Sequence, residues 1–360
     1  GLDASGAVGI GGTVGVLVGT EDNVVTGNVA SFNINGVTIT GSDNTVQGNH
    51  IGTDVEGVAD LGNFIGVNVR GGDRNLIEDN LVSGNVFEGV GLRLSEDDPA
   101  EDNEIRDNLI GTDVEGVERL ANGTGVAVFG VGDNTLEGNV IASSVFDGVL
   151  ISGTEADSNV VEDNWIGTDA GATLDLGNGQ SGVEIVAGGD NRIGKKLRRG
   201  VSNVIAFNAH DGVTVTSGVG NAIVGNSIHD NGELGIDLAG DGPTANDGTG
   251  DDDSGPNTLQ NGPDVDEVTA STVEWEFESE PDTDYRLEFF ASDACDPSGS
   301  GEGQDYLGFV DVRTDNNGEA DDTTDIAVGS GRHVTMTATR INTSERLRST
   351  SEFSPCELTP

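Results

Sequence analysis

The residues best suited to chemistry in this 360-residue chain are its carboxylates. Asp237, Asp241, Asp247, Asp251, Asp252 and Asp253 crowd a stretch rich in Gly, Asn and Pro. Clustered carboxylates of this kind are ligands for hard cations, and Ca²⁺ takes about 6–8 oxygens. Ca²⁺ is therefore the cofactor the run implies, although its spacing matches no EF-hand loop. The alternative is an acidic loop that faces water. A second set recurs in parallel as Thr53-Asp54, Thr112-Asp113 and Thr168-Asp169, each inside an Ile-Gly-Thr-Asp run. Repeated polar loops on one face suit a repeating glycan or a row of cations. The alternative is that each Asp caps its own turn.

Bases are scarce. Lys and Arg number 16 against 64 Asp and Glu, a net charge of −48. Cleaving a uronic-acid polymer by elimination needs a Lys or Arg base, usually beside Ca²⁺ and acidic ligands. Arg70, Arg74, Arg93 and Arg106 are spaced so that they would fall on neighbouring repeats. His210-Asp211 and His229-Asp230 recur near the end of the repeats, but His210 takes the place held by Phe87 and Phe146 elsewhere. It reads better as a turn-packing residue than as a catalyst. Lys195, Lys196, Arg198 and Arg199 form one basic insert. A charge run is usually solvated. In a chain this acidic it is also a candidate contact with an acidic patch on a second copy. Asn122-Gly-Thr124 and Asn342-Thr-Ser344 have the form of glycosylation sequons.

Such a charge excludes nucleic acid as a default partner and disfavours anionic membrane. No run of about 18 apolar residues is present, so no membrane span is expected. The Asp-rich, Lys-poor composition resembles that of proteins from extreme halophiles. The chain opens GLDASGAVGI, without a basic leader, and reads as a mature or trimmed fragment. Cys295 and Cys356 both lie in the last quarter. One disulfide is their simplest reading and suggests an oxidising, extracellular setting; two free thiols are the alternative.

The elements that carry these groups repeat. Asn-x-apolar recurs with Val25, Val46, Ile77, Ile105, Leu136, Val161, Ile193 and Ile223. A second Asn-x-apolar follows, with Asn28, Asn49, Asn80, Asn108, Asn139, Asn164, Asn203 and Asn226 at its corners. The third pattern is Gly and then alternating apolar residues, as in Val37/Ile39, Val126/Val128 and Val213/Val215. Three short period-two strands per repeat predict stacked coils, because only neighbouring turns can bury such strands. Asn is expected at the corners for its tolerance of left-handed backbone, with Gly meeting the same need at the third. Stacked Asn amides are expected to bond along the axis. Nine copies of the third strand at about 4.8 Å each give a rod of roughly 40 Å. Its first coil has no polar cap, which predicts upstream residues or a covering contact. The loops beginning at Ile51, Ile110 and Ile166 should leave one side of the rod.

After Leu238 the period stops. Residues 240–264 form an acidic exit segment, and 265–360 read as longer alternating strands over 273–277, 285–290, 306–312, 324–328 and 333–339. That spacing predicts a β-sandwich. The expected division is therefore 1–239, 240–264 and 265–360.

The runs NVVEDNWIGTDAGATLDLGN, NRIGKKLRRGVSNVIAFN and IHDNGELGIDLAGDGPTANDGTGDDDSGPNTLQNGPDV are similar to secreted prokaryotic right-handed parallel β-helix repeat proteins of the pectate-lyase-like superfamily. The tail RLEFFASDACDPSGSGEGQDYLGFVDVRTDNNGEA with TSEFSPCEL resembles the Ig-like module that follows in many members. The basic insert departs from the small neutral residues usual there. The resemblance implies an all-β chain, a right-handed parallel β-helix followed by a small Ig-like β-sandwich, located outside the cell. It fixes no reaction, since this scaffold hosts unrelated functions. The leading expectation is a cell-surface structural or adhesive module that contacts cations, glycans or its own copies. A carbohydrate-active enzyme (lyase, epimerase or hydrolase) and a virion or appendage spike are the alternatives.

Overall fold

The computed structural model describes residues 11–95, 98–195, 200–251 and 253–360. The expectation about the opening of the first coil falls partly on residues 1–10, outside the described residues. From Gly12 to Leu238 the chain winds through three parallel sheets of nine, eight and eight strands, visiting each in turn. Strands are two to seven residues long, too short to stand alone, and each pairs with its equivalent on the next coil. In the first sheet Val37 pairs with Val67, Val67 with Val90, and so on to Ile236.

The apolar members of all three patterns point inward and stack in columns. Val46, Ile77, Ile105, Leu136, Val161 and Ile193 follow one another down the second sheet, fully buried. Each such side chain contributes about 1.5–3 kcal/mol on leaving water. The cylinder forms one continuous core.

The corners differ from expectation in two ways. First, the corner asparagines are not the left-handed residues. Positive φ falls on the residue before them, such as Asp79, Asp107 and Asp163. The Asn side chain has a different task. Backbone N–H and Nδ2–H of Asn80 both donate to Asn108 Oδ1 at 3.0 Å, and Asn108 donates in the same way to Asn139. Second, the third corner carries its own Asn ladder through Asn33, Asn63, Asn85 and Asn122. Ser144 interrupts it, and the ladder resumes at Asn178, Asn208 and Asn231. The glycines here are required by close approach rather than by left-handed backbone. A Cβ at Gly66 would lie 2.4 Å from the Gly89 carbonyl oxygen of the next coil. Asn122 is buried in this ladder, so its sequon cannot present the amide to a glycan.

The rest of the chain is a two-layer sandwich. Asp264–Val268, Thr272–Glu278 and Glu319–Asp325 form one antiparallel sheet. Asp305–Arg313, Asp284–Ser292, His333–Ile341 and Leu347–Thr350 form the other, and Glu357–Leu358 also pairs with His333–Ile341. Trp275, Phe277, Tyr285, Leu287, Phe289 and Met336 fill the space between. The strand expected at 324–328 lies instead at Glu319–Asp325, whose acidic side chains disguise an edge strand. Cys295 and Cys356 are joined by a disulfide. The sandwich sits on the end of the rod, where Thr350 Oγ1 accepts the Ile223 amide and Gly303 bridges Ile228.

Candidate functional site

The three Ile-Gly-Thr-Asp loops leave the rod between the third and first sheets. Thr53, Thr112 and Thr168 are buried and bridge each loop's base to Asp60, Arg119 and Asp175. Each Asp caps its own turn. Asp54 Oδ1 accepts the amides of Val58 and Ala59 at 2.9 and 3.1 Å, and Asp113 Oδ1 accepts those of Val117 and Glu118 at 2.9 and 3.0 Å. Asp169 Oδ1 accepts those of Thr173 and Leu174, both at 2.7 Å. Slight burial opposes ionisation of Asp54 and Asp169, but the amide donors outweigh it and hold both below the usual carboxylate range. The loops also fasten to each other. Val114 donates its amide to the Gly57 carbonyl at 3.0 Å, and Arg119 reaches Asp175 and the Gly177 carbonyl at 2.9 Å. The result is one fin with Val55, Val58, Val114, Val117 and Leu174 exposed.

The acidic exit segment does not close into one cage. Asp237 turns back on its own bend and accepts the amides of Gly240, Asp241 and Gly242. Asp241 is exposed. Asp247 bonds with Asn261, while Asp251 Oδ2 accepts from Ser279 at 2.5 Å and Gln260 at 2.7 Å. Burial pushes Asp251 up to about 6 against the Ser279 bond, and burial followed by Asp247 raises Asp253. Asp252 lies outside the described residues. Among the described residues no three His, Cys, Asp or Glu side chains converge to hold a metal ion. The carboxylates are divided among separate donors instead: the bend amides for Asp237, Asn261 for Asp247, and Ser279 with Gln260 for Asp251.

The basic residues are likewise distributed. Lys195 bonds to Asp163 and lies 3.4 Å from Glu162 and 3.7 Å from Glu137 of its own chain. Its acidic patch is thus intramolecular. Lys196, Arg198 and Arg199 lie outside the described residues. Arg70 and Arg93 pair on the first sheet, with Arg93 3.3 Å from Glu88 and stacked over Phe129. Arg74 binds Asp43 through two bonds of 2.8 Å, and Arg106 binds Glu78 on the second sheet. The four arginines therefore do not share one groove. His210 is 3.8 Å from Glu233, and His229 bonds Asp230 at 2.8 Å against the edge of Phe207. Each is thus engaged by its own acidic neighbour.

The acidic row that coil register does bring together was not read from the sequence. On the outer face of the first sheet Glu184 pairs with Leu150 on one side and Thr214 on the other, and Asp237 follows Thr214. Asp147 accepts the Ser181 amide at 3.1 Å. Ser181 Oγ lies 2.8 Å from Thr214 Oγ1, which donates to Asp211 at 2.8 Å. Asp211 also accepts the Leu234 amide. Burial first, and then the charge of Glu184, pushes Asp147 up to about 7. Burial also raises Asp211 and Asp237. An acid protonated near neutrality beside a second carboxylate is equipment for proton transfer. Asp147 and Asp211 nevertheless each hold a backbone amide of the next coil. The signal was present: aligning Val149/Ile151, Val183/Ile185 and Val213/Val215 puts Asp147 and Asp211 at one equivalent position.

A family model described as a right-handed β-helix region matches residues 7–166 and 66–193. No curated protein matches the chain. The two matches overlap and together span 7–193, over half of the 360 residues, and most of the three-sheet coil lies within them. The chain belongs to the right-handed parallel β-helix family, and it carries after that coil a small antiparallel sandwich of Ig-like character.

Proposed function

We propose that the chain is an extracellular structural and adhesive module, a stiff rod that makes its contacts through the fin of three loops. The observation that carries this reading is that the loops are fastened to one another and still present Val55, Val58 and Val117 to solvent. A row of apolar tips on an acidic rod suits contact with the apolar face of an extracellular glycan or with a second copy. The disulfide fits an oxidising setting, and among the described residues no helix is long and apolar enough to cross a membrane. The test compares the parent chain with a Val58→Glu/Val117→Glu variant. Sedimentation at high salt reads self-association, and retention on immobilised extracellular polysaccharides reads glycan contact. One of the two should be present in the parent and lost in the variant. A parent that is monomeric and unretained under all conditions overturns the proposal.

A second reading rests on Asp147 and Glu184. A carboxyl near 7 beside a carboxylate suits acid catalysis of glycoside hydrolysis. Release of reducing ends from a polysaccharide panel, abolished in Glu184→Gln, would favour it over the adhesive reading.

A further inference from the structure

Inside the rod every coil closes the donors of the coil before it. The last coil has no successor, and the exit segment and the sandwich supply the acceptors instead. Neutral groups serve the second sheet and its entrance. Ser349 Oγ accepts the Gly220 amide at 3.1 Å, Asn257 Oδ1 accepts that of Asn221 at 2.9 Å, and Thr350 Oγ1 that of Ile223 at 2.9 Å. The Gly303 carbonyl accepts the Ile228 amide of the third sheet at 2.9 Å, and three further positions are met by glutamates. Glu288 Oε2 accepts the Gly225 amide at 3.0 Å. Glu302 Oε1 ends the third Asn ladder, accepting both the backbone and the side-chain N–H of Asn231 at 3.0 Å. Glu352 Oε1 accepts the Leu238 amide at 2.9 Å, and Oε2 that of Thr244 at 2.7 Å. One carboxyl group thus stands at each of three corners of the rod's end, and all three are buried.

We propose that the sandwich is a proton-engaged cap, seated most firmly on the rod when Glu288, Glu302 and Glu352 are protonated and loosened when they ionise. The charge of Arg286 lowers Glu288, but burial outweighs it. Arg286, beside Glu288 on the same strand, is already bound through two bonds of 2.9 and 3.0 Å to Asp311, and Tyr306 donates to Glu288. The charged neighbour of Glu302 is Asp296, and that of Glu352 is Asp237 on the last coil. Each of these is another acid. Burial pushes all three glutamates up to about 7, against the pull of their amide donors.

The direction follows from proton linkage. With the sandwich lifted off, the glutamates face water near their ordinary value of 4.5. Seating therefore takes up protons between about 4.5 and 7. The stabilisation is complete below that window and is lost as pH rises through it. Each glutamate makes lifting up to about tenfold easier per pH unit there.

Hydrogen exchange on the full chain tests this at constant ionic strength, with rates corrected for intrinsic pH dependence. Protection of the Gly225, Asn231 and Leu238 amides should fall by more than about tenfold between about pH 5.5 and about pH 8. Protection of the Asn108 and Asn139 amides at mid-rod should stay constant. Parallel changes at both places, or no change at the seam, overturn the proposal. Glu302→Gln keeps a carbonyl acceptor for Asn231 but cannot ionise. It should shrink the pH response of the Gly225, Asn231 and Leu238 amides alike, by up to about tenfold per pH unit, and an undiminished response overturns that glutamate's role.

Discussion

The middle of the rod and its junction with the sandwich solve one problem with different chemistry. Both must satisfy backbone and side-chain donors that point along the axis. At mid-rod the acceptor is an amide oxygen, as in the Asn103 to Asn134 step at 3.0 and 3.1 Å. At the junction it is often a carboxylate, as in the Asn231 to Glu302 step at 3.0 Å. An amide has donor and acceptor in one neutral group, so it can both receive from one coil and give to the next without limit. A carboxylate only receives, which makes it a terminator. It also brings a charge whose burial is unfavourable, so a terminator of this kind responds to pH and a ladder does not.

The largest expected effect breaks the ladder itself. Asn108→Ala leaves the Asn80 donors and the Ile77 carbonyl unmatched in a buried column and removes one of the two bonds to the Asn139 oxygen. A loss of about 3–5 kcal/mol is expected from denaturant unfolding, and it should be the same at about pH 5.5 and about pH 8. A strongly pH-dependent loss would erase the contrast between the two regions. Next comes the disulfide. Replacing Cys295 and Cys356 with Ser should cost about 2–4 kcal/mol, felt by the sandwich alone. Trp165 lies in the rod and Trp275 in the sandwich core, so fluorescence of single-Trp variants separates the two. Equal loss at both reporters would show that the regions unfold as one unit. The smallest effect sharpens the contrast in sign. Asp54→Ala removes a turn cap and should cost about 0.5–2 kcal/mol, read as faster exchange at Val58 and Ala59. Because Asp54 and Asp169 are held below 3.8, their contribution is present above that value and lost as pH falls through the lower one. The fin thus weakens in acid, where the junction tightens.

The coil was legible because its signal is repeated. Columns such as Ile77, Ile105 and Leu136 appear at equivalent places many times, and each copy confirms the others. The third Asn ladder was less legible, since Asn63, Asn122 and Asn178 close inserted loops and read there as loop residues. The strand at Glu319–Asp325 was hidden by its charge, because an edge strand needs apolar residues on one face only.

The sequence by itself determined the solenoid, its three sides, the position of its loops and the separate sandwich. Those follow from side-chain period and from corner residues, which are local properties. Only the tertiary structure decided which polar groups meet. Asp147 and Glu184 become neighbours through coil register, and Glu288, Glu302 and Glu352 reach the rod through the seating of a second domain. Both depend on distances between residues far apart in the chain, which the spacing within any one segment does not encode.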